Sequence, residues 1–378
     1  MRQEVFQNLK IPVSSEKVDF RCFQKDREQV IEGAFLTDDY WYPIVKGVPC
    51  FLQGLLRPNF TWFQEKYSLV KLVESSLSGA ESEQLLTNTT FSDKWSRFRT
   101  YGLEQPHQEF LYSWYCKKLG VSTIDDLKKF YRQFQTVLEI GPGSGFNTKF
   151  IAETIAENPE AKVFAVDVSD AAFTTFENTK HLPNCHVIQA DLMAMPFADR
   201  MFDFIIADGV LHHTPDTKQA LFAIYNKLKP GGQMFFYVYK QMGAARQFCD
   251  RYIREHFTKL DPDACYKACE GLTELGRELS HLNAKITLEK DISVLGIPAG
   301  THDVQRLFYY NFVKCFWNDA FDFETNNMVN FDWYHPHNAW QHTEDEVAEW
   351  LHELGVTDYQ FNPSNPNGIS VLFAKPIL

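Results

Sequence analysis

Three glycines at alternate positions close a short apolar segment, in the pattern Glu139-x-Gly141-x-Gly143-x-Gly145. The residues before them are typical of a β-strand, and apolar residues recur at helical spacing directly after them, at Phe150, Ile151 and Ile155. Such a turn lets the main chain approach a ligand without a Cβ in the way, and it directs the N–H groups of the new helix at a polar or anionic group. The pattern predicts a loop that binds a nucleotide-type cofactor.

Aspartates follow three consecutive predicted strands. Residues 162–166 lead to Asp167, residues 186–189 lead to Asp191, and residues 202–207 lead to Asp208. The carboxyl ends of parallel strands meet at one edge of a sheet, where open α/β sheets bind their ligands. Asp167, after the second strand, has the position of the acid that accepts hydrogen bonds from ribose hydroxyls in Rossmann sites.

Two groups of histidines are candidates for acid–base chemistry. His212 and His213 come shortly after the fourth predicted strand, and a histidine can accept a proton near neutral pH. We expect at least one of this pair to have a structural role instead. The second group, within residues 332–342, also contains Trp and Tyr, and we expect Tyr334 and His342 to line an acceptor pocket and take part in catalysis. A structural loop ranks second for this group, and a metal site is not predicted because no acid or cysteine pattern supports one.

The elements that position these residues alternate between strand and helix, which predicts a parallel sheet with helices on both faces. A helix over residues 216–228 stops at Lys229-Pro230-Gly231-Gly232, and a fifth strand follows. Near the end of the chain, Thr343 and Glu346 form a predicted capping box, and residues 358–361 and 369–374 form a predicted hairpin. We therefore predict an α/β fold with a doubly wound, Rossmann-like, seven-stranded sheet whose last strand is antiparallel.

The rest of the chain divides around this core. Residues 1–56 carry strand and turn signals, residues 57–134 are mostly helical in periodicity, and residues 241–330 are helical and rich in aromatics. In the second segment, Trp62, Tyr67, Val70, Leu72 and Val73 start one helical pattern. We predict a small β-rich module (1–56), a helical connector and cofactor cap (57–134), the core (135–240), a helical lid insertion (241–330), and a histidine-rich loop, helix and closing hairpin (331–378).

Composition excludes several classes of function. The 378 residues carry a net charge of -12, which disfavours binding to a nucleic-acid backbone. The eight cysteines include no C-x-x-C pair, which favours reduced thiols in a cytoplasmic protein. No apolar run is long enough to span a bilayer, so no membrane partner is expected. Both a monomer and a homodimer remain open.

Together, the Glu139–Gly145 loop, Asp167, Asp191, Asp208 and the Leu228–Gly232 turn resemble the class I S-adenosylmethionine-dependent methyltransferases of type 11 over residues 135–240. The resemblance implies S-adenosyl-L-methionine as the cofactor. It also implies that Asp167, with Val168 beside it, binds the ribose, and that Asp191, with Leu192 beside it, accepts from the adenine amino group. The main chain around Asp208 would meet the methionine ammonium, and Glu139 would orient the loop or that ammonium.

A second resemblance concerns residues 40–52, where Tyr42, Pro43, Ile44, Gly47 and Pro49 match the turn of small zinc-ribbon-like modules. Such modules occur as activator subunits of RNA and protein methyltransferases, or fused to small-molecule methyltransferases. This segment lacks their paired cysteines, because only Cys22 and Cys50 are near, so no metal is predicted. We expect a β extension that packs on the main domain.

These patterns lead to one preferred function and three alternatives. The preferred function is methyl transfer to an oxygen or nitrogen of a small molecule such as a sugar, a metabolite or a natural-product intermediate. The alternatives are methylation of a protein or peptide, an NAD(P)-dependent oxidoreductase, and a non-catalytic regulator that keeps the fold. The G-x-G-x-G spacing, rather than G-x-G-x-x-G, disfavours the oxidoreductase.

Overall fold

The N-terminal module is a four-stranded antiparallel sheet. The computed structural model of the protein describes residues 1–10, 18–37, 40–69, 79–104, 107–362 and 366–377. The strands of the module follow one another in the order of the sequence: β1 (Asp19–Asp26), β2 (Gln29–Leu36), β3 (Trp41–Val45) and β4 (Val48–Pro49). The predicted β-rich character of this segment thus corresponds to one small sheet.

Helices fill the connector up to the core. They are α1 (Thr61–Tyr67), α2 (Gly79–Arg97), α3 (His107–Lys118) and α4 (Ile124–Tyr131). The predicted helical positions Val70, Leu72 and Val73 lie outside the described residues. Thr123 caps α4 by accepting a hydrogen bond from the Asp126 N–H, which is the usual way to satisfy a first-turn amide.

The core alternates strand and helix as the sequence predicts, except that only a short 3-10 helix, Leu192–Ala194, separates β7 from β8. Its elements are β5 (Thr136–Ile140), α5 (Phe146–Ile155), β6 (Lys162–Asp167), α6 (Ala171–Thr179), β7 (Cys185–Gln189), β8 (Phe202–Asp208), α7 (Thr217–Lys227) and β9 (Leu228–Lys240). Strand β9 already begins at Leu228, so the Lys-Pro-Gly-Gly sequence forms the irregular start of the strand rather than a turn before it. The pairing of β8 with β9 shifts register there, between Phe202 and Phe204.

The lid insertion is helical except for one hairpin. It contains α8 (Ala244–Phe257), α9 (Pro262–His281), β10 (Lys285–Leu288), β11 (Gly300–Asp303), α10 (Val304–Asn311) and α11 (Phe323–Tyr334). The β10–β11 hairpin was not expected from the sequence. Helix α11 extends through Tyr334, so the histidine-rich loop starts at His335 rather than at residue 331.

The chain ends with β12 (Gln341–His342), α12 (Glu344–Glu353), β13 (Tyr359–Asn362) and β14 (Gly368–Ala374). The capping box of α12 is present, because Thr343 and Glu346 exchange hydrogen bonds between side chain and backbone. Residues 363–365 of the predicted hairpin turn lie outside the described residues.

The central sheet has the strand order β13-β14-β9-β8-β5-β6-β7. Strands β5 to β9 run parallel, whereas β14 pairs antiparallel with β9, as predicted for the last strand. The two-residue strand β12 also pairs with β9, in parallel. This sheet and the flanking helices form the Rossmann-like α/β fold.

Both faces of the sheet are covered. Along β5, Leu138 and Ile140 belong to one apolar cluster and Val137 belongs to another, because successive side chains of a strand point to opposite faces. Burial on both faces explains why these strands are almost continuously apolar. In the part of the chain that the structure describes, no helix combines the length and the apolar character needed to cross a bilayer.

The N-terminal module packs on the edge of this sheet. The Phe51 N–H donates a hydrogen bond to the Gln189 carbonyl at the end of β7, at 2.8 Å. Gly47 has a φ of +84°, and a Cβ there would lie 2.3 Å from the ring of Phe176 on α6. The module therefore covers an otherwise open strand edge, and glycine is needed at position 47 both for backbone conformation and for close approach.

Candidate active site

A cavity of about 700 Å³ lies at the carboxyl ends of the central strands. One part of its wall comes from the core and includes Glu139, Asp167 and Asp208. Another part comes from the lid and includes Tyr309 and Lys314. The predicted cofactor edge and the predicted lid thus enclose one common space, in the size range of small-molecule sites.

The glycine loop is shaped by both its conformation and its packing. Gly141, Gly143 and Gly145 have φ values of +65°, +60° and +81°, which residues other than glycine rarely adopt. A Cβ on Gly143 would lie 2.5 Å from the Trp95 ring of α2, and one on Gly141 would lie 2.4 Å from Val210. Of the three glycines, only Gly141 lines the cavity. Glycine is therefore required partly because protein side chains pack against the loop.

Glu139 joins the end of β5 to the first turn of α5. Its carboxylate accepts hydrogen bonds from Asn147 Nδ2, at 2.9 Å, and from the Thr148 hydroxyl. Burial raises the pKa of Glu139 to about 7, although these two donors favour the charged form. The side chain lines the cavity while holding the loop and the helix together.

Asp167 and Asp191 lie in the wall beyond this loop, next to Val168 and Leu192. Asp167 Oδ1 accepts from the backbone N–H of Ser169, at 2.8 Å, and from its hydroxyl, at 2.7 Å. Burial raises the pKa of Asp167 to about 6. Asp191 accepts from the Met193 N–H at 2.9 Å. All the acids that the sequence singled out are therefore brought to one cavity.

Asp208 has a cationic partner that the sequence did not indicate. Lys118, at the end of α3, is 1% exposed and places its Nζ 2.6 and 2.8 Å from the two carboxylate oxygens. The same Nζ lies 3.9 Å from the ring centre of Trp114 and 4.4 Å from that of Tyr237. Burial lowers the pKa of Lys118, and Asp208 opposes that shift. The wall is therefore electrically neutral at this point.

The two histidines after β8 have different environments. His213 lines the cavity, and its Nδ1 lies 2.7 Å from the Asn338 carbonyl oxygen. His212 is fully buried outside the cavity lining, with both ring nitrogens unpaired among the described residues and its ring 3.7 Å from that of Tyr239. Burial lowers the pKa of His213 to about 4 and holds that of His212 well below its usual value. Only His213 is placed to meet a ligand.

Tyr334 and His342, expected in the acceptor wall, do not line the cavity. The Tyr334 hydroxyl donates to Asp250 Oδ1 at 2.9 Å and accepts from the Lys314 N–H at 3.1 Å. His342 Nε2 lies 2.9 Å from the Thr217 hydroxyl. The side chains of this segment that do reach the cavity are Asp332 and Trp333, one helical turn or less from Tyr334.

Several residues of the cavity wall were not singled out by the sequence analysis. Lys94 and Trp95 lie within the predicted cofactor cap (57–134), in a stretch rich in aromatic and basic side chains, residues 91–98. Lys118 and Lys314 had no such signal, because nothing in their neighbouring sequence marks a buried lysine. Among the described residues, no three His, Cys, Asp or Glu side chains are grouped closely enough to hold a metal ion.

Known proteins resemble the core of this chain. Residues 138–236 match the methyltransferase domain family. The ubiquinone/menaquinone biosynthesis C-methyltransferase UbiE of Klebsiella pneumoniae is 32% identical over 107 residues, which cover 27% of this chain and 42% of that protein. An uncharacterized protein of Synechococcus sp. is 31% identical over 113 residues, or 29% and 26% of the two chains. The match therefore spans less than half the length of these curated relatives.

Solved structures of methyltransferases align with this chain at low identity and with low TM-scores. The 1,6-didemethyltoxoflavin-N1-methyltransferase of Burkholderia thailandensis, with bound S-adenosylhomocysteine, has a TM-score of 0.41 at 13% identity, covering 81% of this chain and 94% of that one. The N-methyltransferase NodS of Bradyrhizobium japonicum has a TM-score of 0.38 at 14% identity, covering 77% and 100%. The match to the methyltransferase domain family, over residues 138–236, runs from β5 to β9, the parallel strands of the central sheet.

Proposed function

We propose that this protein transfers a methyl group from S-adenosyl-L-methionine to an oxygen or nitrogen of a small-molecule acceptor. The observation that carries the proposal is the single cavity that the methyltransferase-domain residues share with the lid. A methyl donor and an acceptor must meet in one water-poor space, because the reaction depends on holding the nucleophile in line with the methyl group.

The wall residues of the core fit the cofactor by their chemistry. Asp167 is a buried carboxylate whose Oδ1 already accepts two hydrogen bonds from Ser169, so its orientation is fixed for further donors such as ribose hydroxyls. Asp191 and Leu192 offer an acceptor and an apolar contact for an adenine ring. At Gly141 the main chain would be open to the methionine portion of the cofactor. The Asp208 side chain is already paired with Lys118, so the main chain beside Asp208, rather than its carboxylate, would bind the methionine ammonium.

The cofactor brings an activated methyl group, so the chain has to position the acceptor and accept its proton. His213 is the best-placed proton acceptor. A carbonyl oxygen only accepts hydrogen bonds, so the contact with Asn338 fixes the proton on Nδ1 and leaves the lone pair on Nε2. Because the pKa of His213 is lowered to about 4, this imidazole is neutral at physiological pH.

A small acceptor fits the walls better than a polypeptide. The cavity takes side chains from α2, α3, the core strands and the lid, so little of a macromolecule could enter it. The acceptor atom does not follow from the C-methyltransferase relatives, because the match to them is confined to about the length of the cofactor-binding domain.

Calorimetric titration tests the cofactor. We expect S-adenosylhomocysteine to bind with one-to-one stoichiometry and NAD(H) and NADP(H) not to bind. Asp167→Ala should weaken the binding of S-adenosylhomocysteine at least about tenfold, because the variant lacks a charged hydrogen-bond acceptor. The matched control is Asp170→Ala, an exposed aspartate outside the cavity lining. Binding of a nicotinamide cofactor without S-adenosylhomocysteine would favour the oxidoreductase instead.

A single-turnover reaction tests catalysis. The protein is loaded with methyl-labelled cofactor and mixed separately with a small-molecule extract and with a protein extract. We expect label in the small-molecule product only. Label in polypeptide would point to protein methylation, and cofactor binding without transfer to either extract would point to a non-catalytic regulator.

A further inference from the structure

Lys314 is a buried lysine in the lid wall of the cavity. It lies between α10 and α11, is 6% exposed, and lines the cavity. Its Nζ lies 4.1 Å from the ring centre of Trp333 and forms no hydrogen bond or ion pair with a described residue. The side chain is buried while its ammonium faces the cavity, so a ligand there can supply the acceptor that no described residue provides.

The position of Lys314 is fixed by the main chain. Its N–H donates to the Tyr334 hydroxyl at 3.1 Å, and its carbonyl oxygen lies 3.2 Å from the same hydroxyl. Tyr334 is held in turn by Asp250. Tyr334 is therefore a positioning residue for Lys314, which gives a structural reason for a tyrosine that does not reach the cavity itself.

The charges around Lys314 leave one cation in excess. The groups that face it are Arg246 and Asp250 on α8, Lys94 on α2, and Asp332 on α11. Arg246 Nε is paired with Asp250 at 2.8 Å, and Lys94 Nζ is paired with Asp332 at 2.9 Å. Three cations therefore face two carboxylates when Lys314 is protonated. Each carboxylate already has its own cation, and Lys314 has none.

A second cation and several rings complete this part of the wall. Arg306, on α10, also lines the cavity and forms no ion pair with a described residue, while its guanidinium lies 5.6 Å from the ring centre of Tyr309. Tyr309, Tyr310, Phe316 and Trp333 provide flat apolar surface beside the two cations. The chain has a net charge of -12, and the core part of the wall is acidic, so two cations without an ion pair to a described residue are a local feature of the lid part of the wall.

We propose that the acceptor carries an anionic oxygen group, a carboxylate or a phosphate ester, on a planar apolar body, and that Lys314 binds this group. The inference rests on the proposed function, since it names the class of acceptor for the same cavity. An anion would give the ammonium its partner, and the rings would pack against the body of the acceptor. Arg306 would add to the positive potential that attracts the anion.

The affinity of this site for an anion should depend on pH, because Lys314 must be protonated to bind it. Burial and Arg246 lower the pKa of Lys314 to about 7, while Asp332 and Asp250 oppose the shift. An anion binds the protonated form, so its affinity should be full below this pKa and fall as the pH rises through it. A general base at this position would show the opposite sign, with turnover rising through the same range.

The test uses the full chain saturated with S-adenosylhomocysteine and three probes of similar size: benzoate, phenyl phosphate and the neutral benzamide. We expect benzoate or phenyl phosphate to bind more tightly than benzamide, and the stronger of the two anions to identify the kind of anionic group. Lys314→Met should reduce anion binding about 10- to 100-fold, because a charge-assisted hydrogen bond is lost, and leave benzamide unchanged. Lys267→Met, at an exposed lysine of α9, is the matched control.

Two measurements separate the possible failures. The affinity for S-adenosylhomocysteine in wild type and in Lys314→Met tests the proposed function and the folding of the variant. The second measurement needs only the wild-type protein, again saturated with S-adenosylhomocysteine. Its affinity for benzoate should fall between about pH 6 and about pH 8, whereas its affinity for benzamide should stay constant. Intact S-adenosylhomocysteine binding with no preference for the anions, or with anion affinity independent of pH, would overturn the assignment of Lys314 while leaving the methyltransferase function standing.

Discussion

The Nζ atom of Lys118 lies 2.6 and 2.8 Å from the two carboxylate oxygens of Asp208, at the end of the fourth parallel strand of the core. The lysine comes from helix α3, before the core begins, and is 1% exposed. This pair neutralises one acid of the cavity wall, whereas no described residue forms an ion pair with Glu139 or Asp167 in the same wall. The connector helix thereby contributes directly to the electrostatics of the site.

Removal of Lys118 should destabilise the protein. Lys118→Met leaves the Asp208 carboxylate in a largely buried site without its cation, which costs about 3–5 kcal/mol in comparable pairs. Urea unfolding measures the loss. The double variant Lys118→Met/Asp208→Asn should recover part of it, because the remaining group is then neutral. The control is Lys129→Met, whose exposed pair with Asp126 should contribute less than about 1 kcal/mol. Equal effects of the two single variants would contradict the importance of this buried pair.

The glycine loop should tolerate no side chain at position 143. Gly143→Ala places a methyl group 2.5 Å from the Trp95 ring and forces alanine to a φ of +60°. The backbone strain alone costs about 1–2 kcal/mol of stability. Displacement of Trp95 should also weaken the binding of S-adenosylhomocysteine. Gly271→Ala is the matched change, because Gly271 lies in helix α9 with open space around its Cβ position. That variant should gain about 0.5–1 kcal/mol. Thermal and urea unfolding compare the two.

Stability should depend on the ionisation of Glu139. Burial raises the folded-state pKa from 4.5 to about 7, so the folded protein binds more protons than the unfolded chain between these values. The contribution of Glu139 to the free energy of unfolding is therefore highest below pH 4.5 and falls as the pH rises towards 7.

The isosteric variant Glu139→Gln removes this titration. We expect the free energy of unfolding of the wild type, relative to that of the variant, to fall over this range by an amount on the order of 1–3 kcal/mol. Urea unfolding at several pH values measures the difference. A constant difference between the two proteins across the range would show that the carboxylate titrates normally.

His213, rather than His342, should control turnover. His213→Ala removes the neutral imidazole from the cavity wall and should lower kcat by about a hundredfold or more if a proton is transferred during methylation. The affinity for S-adenosylhomocysteine should stay nearly constant. His342→Ala is the control, because His342 contacts Thr217 outside the cavity lining. A larger loss of kcat in the His342 variant than in the His213 variant would reverse the assignment.

Much of the core follows from local sequence. The strand before Glu139, the glycines after it and the acids after the next strands all stand within short segments, so periodicity and turn chemistry are sufficient to predict them. The capping box at Thr343 and the antiparallel last strand are local features of the same kind, and the structure confirms both. The β10–β11 hairpin and the length of α11 were missed, because tertiary contacts select among segments whose local preferences are similar.

The sequence by itself determined the α/β core and the edge of the sheet where a cofactor would bind, because alternating strand and helix patterns and their terminal residues encode both. Only the tertiary structure decided which side chains share the cavity. Lys118 and Asp208 are 90 residues apart, and the ring that packs on Gly143 comes from helix α2. Lys314 shows the same limit: its charge is visible in the sequence, but its burial without an ion pair to a described acid results from how α2, α8 and α11 pack around it.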